Sequence, residues 1–448
     1  MFDQSFTPKN LTRIYHSENK KGVNIAGLFF PEIIDEYENI KRTRRLIRQL
    51  FRNRKLYGKP NFEKRLSKLY ELRARYKTQK NEVIEQRLEA VSKTINSRKF
   101  SFNIEKLAYQ KNNKDVFVTK NDAASFFAEK QIQKNIKYTY SVKQADRDLI
   151  VPQLRSILQD DFPKFVIKTD IESFYETIDR DLLIAKLNEN PILSLSTRKL
   201  IARLLREYEK ISGHKKGIPR GVGISAYLSE LYLKEFDQKI ENLDNLIYYA
   251  RYVDDIVVVI APKPDEKIED YFKKLSEFIG NDKLKLKREK SDWFCYPGEK
   301  QKIQFDYLGY NFDKHGGRFG LGISKKKKKK YEDRVLSSIE KYAKQSIKQP
   351  RKAKKELLLR IKFLTSNTAL SNNKGNAIIG IYNSNKWATD LKFLTSLDSF
   401  LVGKSNLIKN PYVKKKVQKF SFSHGYKART FCRFTPSQFE TIVKLWKD

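Results

Sequence analysis

Two adjacent aspartates, Asp254 and Asp255, break a largely apolar stretch that runs from Leu246 to Ile260. Leu246-Ile247-Tyr248-Tyr249-Ala250-Arg251 leads into Tyr252-Val253-Asp254-Asp255, and Ile256 to Ile260 follows. Two β-forming runs around a short polar break predict a tight hairpin with the acids at its turn. Neighbouring carboxylates repel each other, so holding a pair together makes sense where a dication sits between them. A third acid, Asp170, closes the run Phe165 to Thr169, 84 residues before Asp254. Carboxylates from separate strand ends can converge on two Mg²⁺ ions, with Mn²⁺ as the other candidate. That arrangement suits phosphoryl transfer, in which metals activate a hydroxyl and stabilise a leaving pyrophosphate. Asp179 reads as the N-cap of a helix from Arg180 to Leu187. Taken singly, each piece could be an ordinary turn or surface acid, and the order of the other segments decides.

The charge balance narrows the partner. The 448 residues hold 92 Lys and Arg against 53 Asp and Glu, a formal net charge of +39. Such an excess suits a polyanion, because each neutralised phosphate releases condensed counterions. A membrane is the other candidate, but no apolar run approaches the ~20 residues needed to span one. The opening MFDQSFTPKN has no signal-peptide core, so the expected location is the cytoplasm. Cys295 and Cys432 are the only cysteines and there are four histidines, too few and too scattered for a cysteine–histidine metal cluster. Both thiols are expected to be buried or inert.

The chain is long enough for two or three domains. Residues 31–95 predict a helical hairpin broken at Tyr57-Gly58-Lys59-Pro60, with Leu46, Ile47, Leu50 and Phe51 on one stripe. The basic helix at 41–55 could bind structured RNA. Residues 106–320 mix strands and helices. From Ser324 the chain is again helical and basic, with Lys325 to Lys330 leading into Tyr331, Val335, Ile339 and Tyr342. Pro350 ends that segment, and Asn372-Asn373-Lys374-Gly375 marks a loop. A helix is expected from Ser225 to Ile240. The last 40 residues give no clear assignment. The expected division is a helical extension at 1–105, a core at 106–320 and a basic helical region at 321–448.

Over about 140–330 these segments resemble the reverse transcriptase family. The strand ending at Asp170, with an aromatic five residues on, is similar to the family's first palm motif. Gly217-Ile218-Pro219-Arg220-Gly221 with Ser225 is similar to the second, and Tyr252 to Asp255 to the third. Leu284-Lys285-Leu286 with Lys290-Ser291 resembles the fourth, and Tyr307-Leu308-Gly309-Tyr310 the primer grip. The resemblance implies an α+β right-hand polymerase with fingers, palm and thumb. It implies metal ligation by Asp170, Asp254, Asp255 and the Ile171 carbonyl. Lys290 would protonate or neutralise the pyrophosphate, and Tyr175 would exclude a 2′-hydroxyl and so favour dNTPs. Lys143, Arg147, Arg220 and Gly221 would bind the incoming nucleotide, and Leu308, Gly309 and Tyr310 would hold the primer. Lys325, Lys326, Lys327 and Lys328 would track the nucleic-acid backbone from the thumb.

Two departures matter. Arg220 stands where the family usually has glutamine, and Ala226 where it usually has proline after Ser225, which puts the standard template-side contacts in question. With helical extensions at both ends, the chain looks most like the defence-associated, abortive-infection-related reverse transcriptases of bacteria. Phe2 to Phe6 and Ile14 to Gly22 are similar to their type 3 class. That resemblance implies an anti-phage role, with cDNA, often repetitive, copied from a dedicated non-coding RNA, and a possible second reverse transcriptase or homo-oligomer as partner. Some relatives instead make DNA without a template, primed from a protein hydroxyl. A third reading is an RNA-binding scaffold with an inactive polymerase fold, against which the three aspartates argue.

Overall fold

The computed structural model describes residues 2–111, 113–189, 191–296, 302–370 and 377–446; the Asn372–Gly375 loop lies outside them. Compactness divides the chain into two units assembled from separated stretches. One takes in Met1–Val142 and Leu183–Leu228, the other Lys143–Leu182, Ser229–Ser371 and Asn376–Asp448.

The first unit is mainly helical. Its helical hairpin pairs Ile34–Arg52 with the long helix Lys59–Asn96. The turn falls at the expected Tyr57–Pro60, with Pro60 in the first helical turn, where its missing N–H costs nothing. Ile47 and Leu50 are buried, but Leu46 and Phe51 are exposed. The expected stripe is therefore narrower, because one neighbouring helix covers only one face. At the base, where the long helix meets the helices Pro8–Lys20 and Ala123–Thr139, Leu88 and Ile95 are buried, as are Phe6, Leu11, Ile14 and Phe127. Strands β1 (Glu105–Lys111) and β2 (Lys114–Val118) form an antiparallel hairpin. Asn135 ties the N-terminal segment to a later helix, donating to the Gln4 carbonyl at 2.9 Å and to Thr197 Oγ1 at 2.8 Å.

The second unit is built on a four-stranded antiparallel sheet. Its strands are β3 (Lys164–Asp170), β4 (Leu246–Tyr252), β5 (Asp255–Ile260) and β6 (Asp292–Tyr296), in the order β4-β5-β3-β6. All seven residues of β3 are buried, as a central strand covered on both faces should be. One face receives the helix Ile268–Asn281, where Tyr271 meets Phe165 with ring centroids 6.2 Å apart. The other face shares a core with the helix Arg147–Gln159 and with a three-stranded meander of β7 (Lys302–Tyr307), β8 (Tyr310–His315) and β9 (Arg318–Ile323). Phe305 and Phe312 stack there with centroids 5.3 Å apart.

Helices Lys325–Ser346, Pro350–Leu364 and Lys392–Ser405 follow around Val335, Ile339, Leu357, Ile361, Leu397 and Leu401. Strands β10 (Asn367–Ala369) and β11 (Ile378–Gly380) form a short antiparallel pair. The last 40 residues, unreadable from periodicity alone, form three short helices, Pro411–Val417, Phe422–Lys427 and Pro436–Lys444. Phe422 and Tyr426 complete this core. The expected helix 225–240 is two helices, Ser225–Tyr232 and Lys234–Glu241, divided at Leu233, whose ψ is 5°. Both cysteines are free, and Cys295 is exposed rather than buried, because it lies on the edge strand β6. Desolvation raises its thiol pKa. Among the described residues no helix is long and apolar enough to cross a membrane.

Candidate active site

The hairpin read from the sequence is present. Tyr252 pairs with Asp255, which leaves Val253 and Asp254 as a two-residue turn. Val253 has φ +63°. Hairpin turns of this kind favour glycine at that position, and a β-branched residue there is strained. The strain is held by Arg251, whose Nη1 donates to the Val253 carbonyl at 3.0 Å. The same guanidinium grips Asp237 twice, from Nε at 2.8 Å and Nη2 at 2.6 Å, and reaches Glu230 at 2.7 Å. Arg251 is buried, so these acids must accompany it. Sequence reasoning missed this brace, because its partners lie 14 and 21 residues away on helices whose placement no local pattern reveals.

The sheet register brings the three aspartates together. Asp170, the last residue of β3, is paired directly with Asp255, the first of β5. Ile171 N–H donates to the Asp254 carbonyl at 3.0 Å, which fixes the strand end to the turn. Burial first, then the charges of Asp254 and Asp170, push the Asp255 carboxyl up to about 6, against the opposing pull of Lys168. Lys290 Nζ lies 3.2 Å from Asp170 Oδ2. Lys168 is buried and donates to the Lys290 carbonyl at 3.3 Å, and Thr169 bonds Ser291 at 2.7 Å. The strand carrying Asp170 therefore also positions Lys290. Lys168 and Thr169 were not singled out from the sequence, although their place two residues and one residue before Asp170 was the available signal.

The donors suit a hard divalent cation. They are carboxylates gathered at one strand end, and their mutual repulsion is what a cation would relieve. Among the described residues no three Asp, Glu, His or Cys side chains form a finished coordination group. The fold supplies the donors, and Lys290 lies against one of them.

The other predicted residues fall into separate groups. Phe174 is buried while Tyr175 beside it is half-buried, their rings edge to face at 5.8 Å. Lys143 is exposed. Arg147 opens the helix Arg147–Gln159, and its guanidinium is already engaged. Its Nε donates to the Leu308 carbonyl at 2.8 Å, Nη2 reaches the Ser384 carbonyl at 3.3 Å, and the Tyr310 ring lies 4.8 Å away. Arg220 and Gly221 lie in the first unit, where the Arg220 carbonyl accepts from Phe117 N–H at 2.7 Å. Gly221 has φ +104°, and a Cβ there would stand 2.6 Å from the Phe117 carbonyl. Its smallness is thus required by β2.

Leu308 and Gly309 form the β7–β8 turn, with φ +48° and +78°. Tyr307, just before it, donates to the carbonyls of Ala250 and Asp255, both at 3.3 Å. One phenol thus links this turn to the aspartate hairpin. Tyr310 is buried and its phenol is pushed up to about 12, chiefly by desolvation. Within the lysine run the residues divide by helical phase. Lys325 and Lys326 are exposed, and Lys328 stands 3.8 Å from Glu332. Lys327 turns inward, donating to the Ser384 carbonyl at 2.7 Å with its ammonium 4.9 Å from the Tyr310 ring. Desolvation, then Arg147, lowers its pKa to about 7.

Residues 128–312 match the family model described as reverse transcriptase (RNA-dependent DNA polymerase). The matched segment contains Asp170, Asp254, Asp255, Lys290 and the Leu308–Gly309 turn. Among solved structures it is similar to apo telomerase from Candida tropicalis truncated from its C-terminal domain, at 13% identity and TM-score 0.32, covering 44% of this chain and 45% of that one. It is also similar to telomerase from Candida albicans in complex with a TWJ fragment of telomeric RNA, at 12% identity and TM-score 0.33, covering 72% of this chain and 57% of that one. The chain spans about half the length of these solved relatives. No curated protein matches it.

Proposed function

We propose that the protein is an RNA-directed DNA polymerase that copies an associated non-coding RNA into cDNA, of the defence-associated kind. The observation that carries this reading is the register of β3 and β5, which sets Asp170 opposite Asp255 beside the Asp254 turn, inside the family match. The reaction joins a primer 3′-hydroxyl to the α-phosphorus of a dNTP and releases pyrophosphate. Asp170, Asp254, Asp255 and the Ile171 carbonyl are the proposed ligands of two Mg²⁺ ions, replaceable by Mn²⁺, whose chemistry when bound is to acidify the primer hydroxyl and neutralise the pyrophosphate. Lys290, held by the Lys168 bond to its carbonyl, supplies the proton or charge that the leaving group needs. Tyr175 stands against the sugar and excludes ribonucleotides, while the buried Phe174 fixes its backbone.

Lys143, Arg220 and Gly221 bind the nucleotide. Arg147 acts from behind the primer-holding residues Leu308, Gly309 and Tyr310, since its cation is committed to the Leu308 carbonyl. Lys325, Lys326 and Lys328 face the nucleic-acid backbone, and Lys327 braces them from inside. In this reading residues 106–320 serve as fingers and palm and 321–448 as thumb. Its setting is anti-phage defence in the cytoplasm, with a repetitive cDNA product, and a second reverse transcriptase or another copy of the chain as candidate partner.

The test is extension by the purified protein with co-expressed RNA, a divalent ion and dNTPs, with Asp254→Ala beside it. The expected product is complementary to the bound RNA and falls by roughly a thousandfold or more in the variant. A product unrelated to the RNA, or attached to the protein and surviving RNA removal, would replace this reading with untemplated, protein-primed synthesis. RNA binding and phage protection both unchanged in Asp254→Ala would replace it with a scaffold role.

A further inference from the structure

The helical hairpin Ile34–Asn96 holds one of the most basic stretches of the chain. Residues 41–80 contain sixteen Lys and Arg, a number matched by residues 325–364, and two acids, so 14 of the net 39 positive charges lie in these 40 residues. The helix Lys59–Asn96 has 38 residues, about 57 Å at helical rise. Between Phe62 and Ile84 none of its residues is buried. That stretch is supported by its partner helix and contributes little core of its own. A projecting basic element of this kind is an electrostatic footprint for nucleic acid.

The tip adds a shaped feature. Leu46, Leu50 and Leu69 form the apolar wall of a cleft of about 390 Å³, with Gln49, Asn53, Tyr57, Arg65 and Lys68 around it. That volume is at the lower end of the ~300–1,000 Å³ of small-ligand sites. The Arg65 guanidinium lies over the Tyr57 ring at 4.7 Å. The side-chain amides of Gln49 and Asn53 make no hydrogen bond among the described residues. An aromatic ring under a cation, two uncommitted amides and a cationic rim are what an unpaired base needs: a stacking face, edge partners and phosphate contacts.

We infer that the hairpin tip is a recognition site for an unpaired loop of RNA, in which one extruded base enters the Leu46–Tyr57–Leu69 cleft and flanking phosphates meet Arg65 and Lys68. This rests on the reading above that the chain works on an associated non-coding RNA. An anionic membrane would also attract the charge, but it offers no planar polar edge to the two amides.

The experiment measures equilibrium binding of the full chain to a stem–loop RNA, to the same stem as a blunt duplex, to the DNA version of the stem–loop, and to vesicles of phosphatidylserine and phosphatidylcholine. Tyr57→Ala with Asn53→Ala should weaken stem–loop binding about tenfold and leave duplex binding within about twofold. A 4-thiouridine in the loop should cross-link to the 53–69 segment. Arg44, Arg45 and Arg48→Gln should flatten the salt dependence by ~2 in log–log slope without changing the loop-over-duplex preference. Thermal unfolding of each variant separates loss of fold from loss of contact. Equal loss on loop and duplex, preference for DNA, cross-links elsewhere, or vesicle binding abolished by the tip variant would overturn the inference. Extension of an oligo(dT) primer on poly(rA) is read in parallel. If that extension persists while the loop preference is absent, the tip assignment fails and the polymerase reading stands. If extension is absent while the loop preference is present, the reverse holds.

Discussion

Arg251 is the residue on which the aspartate hairpin depends most. It is buried, holds two acids, and supplies the donor for the strained Val253 turn. Arg251→Met would strand Glu230 and Asp237 without their cation, a loss of about 3–5 kcal/mol. A fall in thermal midpoint of roughly 10 °C, with loss of primer extension, is the expected result. Adding Glu230→Gln and Asp237→Asn should restore most of the stability but not the extension, because the Val253 carbonyl still lacks its donor. Recovery of both would show that Arg251 acts only by neutralising charge.

Lys327 makes the pH prediction. Its folded-state pKa, about 7, lies below the ordinary 10.5, so between those values the unfolded chain binds more protons. Stability therefore rises with pH across that window and is lowest below about 7, where the buried ammonium is charged in both states. Lys327→Met should be more stable than the native protein at pH 6 by on the order of 2 kcal/mol, offset in part by loss of the Ser384 bond. Urea unfolding at several pH values should show this advantage shrinking toward pH 10. A difference that stays constant with pH would count against it.

At the scale of elements, the hairpins were legible and their couplings were not. The hairpin at Val253–Asp254 shows itself because apolar β-forming runs flank the polar break, and the Asp179 cap was readable as well: its Oδ1 accepts from Leu182 N–H at 2.9 Å. Nothing local marks Tyr307 as the link between the primer-side turn and the Asp255 backbone. Nor can six identical lysines reveal that Lys327 faces inward, since the phase depends on where Ser324 caps the helix. Ser324 Oγ accepts from Lys327 N–H at 3.2 Å, which sets that start. Gly221 was expected to admit a nucleotide, yet its backbone is first of all a close neighbour of β2. Gly221→Ala should cost ~2 kcal/mol or more, through positive φ and the clash with the Phe117 carbonyl, measurable by calorimetry. An unchanged melting profile would mean that the β1–β2 hairpin gives way freely.

On the scale of the whole molecule, charge is the property that sequence conveys most directly and fold adds least to. With a net charge of +39, binding of mixed-sequence RNA should weaken steeply with salt. Several phosphate contacts would cost about a thousandfold between 50 and 200 mM salt. A shallow dependence, read by filter binding, would mean that most of this charge is idle. What composition could not show is how the chain is shared between units.

That interleaving reaches back to the ribosome. β3 ends at Asp170, but its two sheet neighbours begin at Asp255 and Asp292. At roughly 5–20 residues per second, β3 leaves translation some 6–24 s before its last partner is made. Until Ile260 is made, a strand with no exposed residue in the finished protein has neither of its neighbours, and until Tyr296 it still lacks β6. The nascent chain is therefore most open to aggregation, or to capture by a chaperone, while residues 171–296 are being synthesised.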